Sequence, residues 1–300
     1  MTFWSLWKTR PRESRLRRAL FQIHLWSGLC LGVYVLVLSV SGSALVFRND
    51  LYNAFTAPPV ILKAQGERLS AEAIRSAARA AHPGYEISRV WENETNPAQA
   101  IEITLDRGGH EIQRLFDPYS GRDLGHAIPA GIRLMSWLED LHVNLLAGES
   151  GRLVNGTAAA LWVALGLTGA VIWWPGLRDW RRAMGVRWRA NWRRFNFDLH
   201  SAVGIWTLLF FLLWGITGVH VAIPRPFWAV VDYLEPPPET YQPGMRTGEV
   251  ILRWSSRLHF GTIGGRVTQA IWVVIGLAPA VLFVTGVVMW WNRVLRRRDL

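Results

Sequence analysis

Two octapeptides carry the residues most able to do chemistry. FQIHLWSG at 21–28 and FDLHSAVG at 197–204 share an aromatic residue, a histidine and a glycine four positions beyond it, 176 residues apart. Imidazole is both a titratable group and a common metal ligand. His24 and His200 each fall near the start of a long apolar run, where an ionisable side chain is costly and marks function. Gly28 and Gly204 lie one helical turn on, on the same face as the imidazoles. The side chains missing there leave a flat surface, which suits a planar macrocycle better than a compact ion. Two opposed neutral imidazoles beside such a surface describe the axial ligands of a bis-histidine haem. A capping or interfacial role is the plainer alternative for each.

His142 and His259 form a second pair, closing the strings SWLEDLH and RWSSRLH, with Trp137 and Trp254 five positions before them. Both sit on short amphipathic stretches that would lie along a membrane interface. They read as a second axial pair near the outer boundary, or as interfacial histidines beside a Trp belt. His220 ends the third apolar run; it could replace a ligand of the outer pair or shuttle protons. Arg152 and Arg266 could meet haem propionates or lipid headgroups. His82, His110 and His126 read as solvated loop or turn residues. Zinc is the competing metal, but a structural zinc closes with four ligands, often Cys or carboxylate. The single cysteine, Cys30, allows no intrachain disulfide, and no C-x-x-C-H attachment motif exists. The expected cofactor is therefore non-covalent haem b, in two copies.

The elements that must position these residues are membrane spans. Four apolar runs, at 21–47, 153–174, 199–223 and 269–291, have the length that a hydrocarbon core of about 30 Å demands, about 20 helical residues. Trp173 and Trp174 end the second run and Trp290 and Trp291 the fourth, as boundary belts do. A basic leader from Lys8 to Arg18 precedes the first run, which is longer than a signal-peptide core and reads as an uncleaved anchor. The net charge of +11 is concentrated in 1–20, 176–199 and 293–300. The positive-inside rule then puts both termini and the loop at 176–198 in the cytoplasm. Topology and anionic lipid account for these basic blocks without nucleic acid.

The outer segment at 48–130 reads as a small α+β module. A capped helix over 70–84 is followed by strands at 85–94, 100–109 and 110–121. The second outer segment, 224–250, with prolines at 236–238, reads as irregular. Beyond the octapeptides, Ser41-Gly42 matches Thr217-Gly218 at the same offset of 176. The second and fourth runs match at an offset of 117: Leu141-His142 with Leu258-His259, Thr168-Gly169 with Thr285-Gly286, Trp173-Trp174 with Trp290-Trp291. The chain thus reads as two parallel copies of one unit, with the α+β module inserted in the first. The expected order is a leader and first span (1–47), the module (48–130), an interfacial stretch and second span (131–175), and a basic loop (176–198). The third span (199–223), an outer loop with its own histidine stretch (224–268), and a fourth span with a basic tail (269–300) complete it.

HLWSGLCLGVYVLVLSVSGSALVF, FDPYSGRDLG, LHVNLLAGESGRLVNG, GAVIWWPG, DLHSAVGIW, LHFGTIGG and TGVVMWWNR together resemble the PepSY-associated transmembrane family, over most of the chain. FDPYSGRDLG is similar to the end of a PepSY module. The resemblance implies a four-helix haem protein of the bacterial inner membrane that moves electrons outward, with His24, His200, His142 and His259 as haem ligands. It also implies, from the reductase members, reduction of ferric siderophore iron in the periplasm. His220 falls on no family position. No G-x-G-x-x-G fingerprint is present, so a quinol or a separate reductase would donate the electrons. Two rival classes stand beside this. One is a haem-free anchor whose PepSY module inhibits or senses a periplasmic protease. The other is a transporter, against which the parallel copies argue; Pro279 is the one helix-breaking hint in its favour.

Overall fold

A computed structural model describes residues 11–64, 66–237, 240, 243–244 and 246–294. Lys8 of the leader, Pro238 and the tail from 295 lie outside the described residues. Backbone groups in lipid must be satisfied within the chain, which apolar runs of this length achieve as helices. The helices are α1 (Arg15–Leu45), α2 (Arg48–Phe55), α3 (Ala71–Ala81), α4 (Ala130–Asn144), α5 (Gly148–Trp173) and α6 (Trp180–Ala183). Then come α7 (Trp192–Ala222), α8 (Pro224–Leu234), α9 (Thr247–Phe260), α10 (Gly265–Gly276) and α11 (Ala278–Val294). The strands are β1 (Glu86–Trp91), β2 (Ile101–Arg107), β3 (His110–Phe116) and β4 (Asp123–His126).

Among the described residues, four helical stretches are long and apolar enough to cross a membrane: α1, α5, α7 and α10 continued by α11. They pack in a ring, α1 on α5, α5 on α7, α7 on α11 and α11 back on α1. Val35, Trp162, Leu165 and Phe211 meet at its centre, with Leu31, Tyr34 and Leu282 around them. The Trp162 and Phe211 rings stack at 4.3 Å, and the Trp162 indole donates to the Phe211 carbonyl at 2.9 Å. The outward faces are apolar too: Leu209 is 79% exposed and Val274 72%. Such surface is stable against acyl chains, not water.

The module gains the helix α2 and a fourth strand, β4, beyond the expected plan, and three further features depart from it. First, α7 begins at Trp192, inside the basic loop. Asn191 caps it by accepting from the Arg194 amide at 3.0 Å, and Arg187 and Arg194 hold the buried Asp198 carboxylate at 3.0 and 2.9 Å. Second, the fourth span is two helices. Pro279 lacks an N–H and crowds the preceding turn. Ser39 of α1 inserts at the break, donating to the Gly276 carbonyl at 2.5 Å and accepting from the Ala280 amide at 3.3 Å. It stands in for the missing helical rung. Third, the start of the segment read as irregular, 224–250, is the helix α8. Pro224 opens it at the first helical position, where proline is pre-set for a helix, and its apolar side, with Phe227, Val230 and Val231, meets Gly248, Ile251 and Leu252 of α9.

Arg48–Ser136 forms a separate compact unit. Its sheet is antiparallel in the order β1-β2-β3-β4. Ile74 and Ala78 of α3 pack on Ile101, Ile103 and Leu105 of β2 and Phe116 of β3. Ser70 caps α3 by accepting from the Ala73 amide at 3.2 Å. His82 is not a solvated turn residue: its Nε2 lies 2.7 Å from Asp123, which Arg114 also binds at 2.7 Å. His110 and His126 are exposed.

Candidate functional site

Each of the four paired histidines is held by a hydroxyl-glycine dipeptide on another helix. His24 on α1 sets its Nδ1 3.1 Å from Thr168 Oγ1 and from the Leu165 carbonyl, both on α5. His200 on α7 sets its Nδ1 2.8 Å from Thr285 Oγ1 on α11. At the other end of the bundle, His142 on α4 meets Ser41 Oγ on α1 at 2.9 Å, and His259 on α9 meets Thr217 Oγ1 on α7 at 2.9 Å. The glycine that follows each hydroxyl lets the ring lie close to the helix. A Cβ on Gly42 would stand 2.7 Å from the His142 ring and one on Gly169 3.1 Å from the His24 ring. Gly218 and Gly286 would each stand 3.5 Å from theirs.

The tautomer follows from where the hydroxyl protons go. Ser41 donates to the Val37 carbonyl at 2.7 Å, Thr168 to Leu165 at 2.9 Å, Thr217 to Leu213 at 2.6 Å and Thr285 to Val281 at 2.7 Å. With its proton committed to the backbone, each hydroxyl oxygen accepts, so each Nδ1 carries the hydrogen. The lone pair is then on Nε2, and among the described residues no hydrogen bond engages it. A hydrogen-bond acceptor on one ring nitrogen is how proteins orient a metal-binding imidazole. Burial pushes His142 down to about 4, and burial, then the His142 and His220 charges, push His259 down to about 3. Both rings are therefore neutral at pH 7.

The rings fall into two layers. His200 interacts electrostatically with His24, and His259 with both His142 and His220. Seventeen residues separate His24 from Ser41 on α1, about 26 Å at 1.5 Å per residue. Among the described residues no three His, Cys, Asp or Glu converge on one point, so neither layer offers the closed set a structural zinc takes. Each layer holds an imidazole from each half with Nε2 outside the hydrogen-bond network, a donor type that can ligate a metal or haem iron.

Residues 21–293 match the family model of the PepSY-associated TM region. The chain belongs to that family. A Pseudomonas aeruginosa relative, the uncharacterized protein PA4219, is 33% identical over 118 residues, 34% of this chain and 28% of that protein's length. This PepSY-associated protein is accordingly an α-helical, multi-pass membrane protein in lipid contact, with a small α+β insertion.

The remaining expected site residues are placed as follows. Gly28 and Gly204 face Leu165 and Leu282, where a Cβ would make ordinary contacts of 3.7 and 3.6 Å. Those leucines are themselves matched by the 117-residue offset, so the two halves of this family member build one geometry twice. His220 sets its Nδ1 3.1 Å from Ser255 Oγ, with its ring edge-on to Phe227 at 5.2 Å. Arg152 donates to the Val221 and Ala222 carbonyls at 3.2 and 2.9 Å, closing the end of α7.

Sequence reasoning missed the roles of Ser41, Thr168, Thr217 and Thr285, although their alignment between the halves was the available signal. It missed the props behind the second layer altogether. Asn155 donates to the His142 and Val143 carbonyls at 2.8 and 2.9 Å, while Tyr34 donates to Asn155 at 2.8 Å. In the other half Trp272 stands at the position of Asn155, donating to the Leu258 carbonyl at 2.9 Å, and Phe210 meets it edge-on at 5.5 Å.

Proposed function

We propose that this chain is an electron-transfer protein of the bacterial inner membrane that holds two haem b groups. His24 and His200 hold one, and His142 and His259 the other. Bound haem supplies reversible one-electron exchange. The basic segments at 1–20, 176–199 and 293–300 favour the cytoplasm, which puts both termini and the His24/His200 layer on that side. The α+β unit, Arg48–Ser136, is then a periplasmic PepSY-like module. The donor is a quinol or a cytoplasmic reductase. The acceptor is periplasmic, with ferric iron held by a siderophore as the leading choice. One-electron reduction loosens iron from hard oxygen donors, because Fe(II) is held by them more weakly than Fe(III).

The observation that carries this reading is the fourfold clasp. Four imidazoles, two from each half, have Nδ1 tied to a hydroxyl, and none of their Nε2 atoms makes a hydrogen bond among the described residues. A haem-free anchor gives no reason for that arrangement. The test is the absorption spectrum of the protein purified from haem-sufficient cells. A Soret band and sharpened α/β bands on dithionite reduction are expected, with about half of the haem lost in His200→Ala. A colourless wild type, or full haem retention by His200→Ala, overturns the reading.

A further inference from the structure

Among the described residues, the buried indole donors at the His24/His200 end have no hydrogen-bond partner. The indole Nε1 atoms of Trp173 and Trp290 are shut off from the surface and make no hydrogen bond within the described residues. Indole nitrogen is a donor only. A buried donor left unsatisfied costs about 1–3 kcal/mol, and native structures rarely tolerate one without an unseen acceptor. The two indoles are matched by the same 117-residue offset that relates Thr168-Gly169 to Thr285-Gly286.

Their position says what they face. Trp173 is four residues beyond Gly169, and Trp290 four beyond Gly286. Residues four apart share one helix face, one turn apart. Gly169 and Gly286 are the residues against which the His24 and His200 rings lie. Each indole therefore stands one turn past an imidazole, on the face that the imidazole occupies, towards the end of its helix. Arg17 donates to the Ile172 carbonyl and brings a positive charge to the same turn of α5. Each half thus brings one indole N–H donor to the turn beyond its own imidazole.

We infer that Trp173 and Trp290 donate to the two propionate carboxylates of the haem held by His24 and His200, one indole to each. The inference rests on the haem reading above. The indoles and the imidazoles then act together: the rings fix the iron, and the indoles fix the rotation of the macrocycle about the axis the rings define. The indole donors also stabilise the ionised carboxylates and offset their charge.

The test uses the full chain carrying His259→Ala, which leaves the His24/His200 layer as the haem site. Trp173→Phe and Trp290→Phe keep an aromatic ring and remove only the donor. Resonance Raman bending modes of the propionates report hydrogen bonding directly, independently of activity. Each substitution is expected to shift one mode. It should also lower the midpoint potential at neutral pH, move the pH-dependent segment of the potential upward, and speed haem release about tenfold. Trp291→Phe, at an indole 56% exposed, is expected to change none of these. Unchanged modes and potential in a haem-loaded Trp173→Phe/Trp290→Phe protein overturn the inference and leave the haem reading standing. A wild type without haem overturns both. Should the double variant fail to fold, the single variants still give the mode shifts.

Discussion

Thr285 Oγ1 accepts a hydrogen bond from the Nδ1–H of His200 while its own hydroxyl donates to the Val281 carbonyl. One hydroxyl thus sets both the tautomer and the rotation of the ring. Thr285→Ala removes the acceptor without touching the imidazole. The expected result is a tenfold to hundredfold weaker haem affinity in that layer, the range seen when an outer-shell partner of a metal ligand is removed. Thr285→Ser is expected to restore it. Haem titration of the two variants checks this; equal affinity for wild type and Thr285→Ala would refute the clasp. At this scale the histidines were legible, because an imidazole in an apolar run is conspicuous. The threonines and Ser41 were not, because hydroxyls are common in membrane helices and nothing local distinguishes an imidazole partner from one bonded only to its own backbone.

α10 and α11 form one span by composition and two helices by hydrogen bonding. The repair comes from Ser39, buried on α1, which serves the Gly276 carbonyl and the Ala280 amide at once. Ser39→Ala leaves buried backbone groups unmatched and is expected to cost about 1–3 kcal/mol of stability. Thr157→Ala, at an exposed hydroxyl bonded only to its own helix, is expected to cost little. Denaturant unfolding of the purified protein separates the two, and equal midpoints would show that the rung contributes nothing. The four spans were legible because the bilayer imposes a length and an apolarity that any window of sequence displays. Pro279 hinted at the break, but its repair was hidden, since Ser39 lies some 240 positions away. The helix α8 was hidden for a related reason: prolines read locally as breakers, yet at a first turn they are compatible with a helix that a neighbouring apolar face then stabilises.

Across the whole molecule the duplicated halves have kept one geometry with different chemistry. Tyr34 and Asn155 support the His142 helix through polar contacts, while Phe210 and Trp272 support the His259 helix at the matched positions. Each layer takes one imidazole from each half, so the two members of a pair depend on each other and the two layers do not. Haem content is therefore expected to fall no further in His24→Ala/His200→Ala than in either single variant, and to fall to nothing in His142→Ala/His200→Ala. Pyridine haemochrome assay of the set decides it; additive losses within one pair would show that the halves bind separately. The repeated spacing of His, Gly and hydroxyl residues determined by itself that two equivalent units exist, where their spans lie and which histidines correspond. A helix converts sequence spacing into position along its own axis, so those facts are local. Which hydroxyl holds which ring, which nitrogen is left to coordinate and which indoles stay without a partner were decided only when α1, α5, α7 and α11 packed. Each of those contacts joins residues from different helices, and no spacing within one helix can specify it.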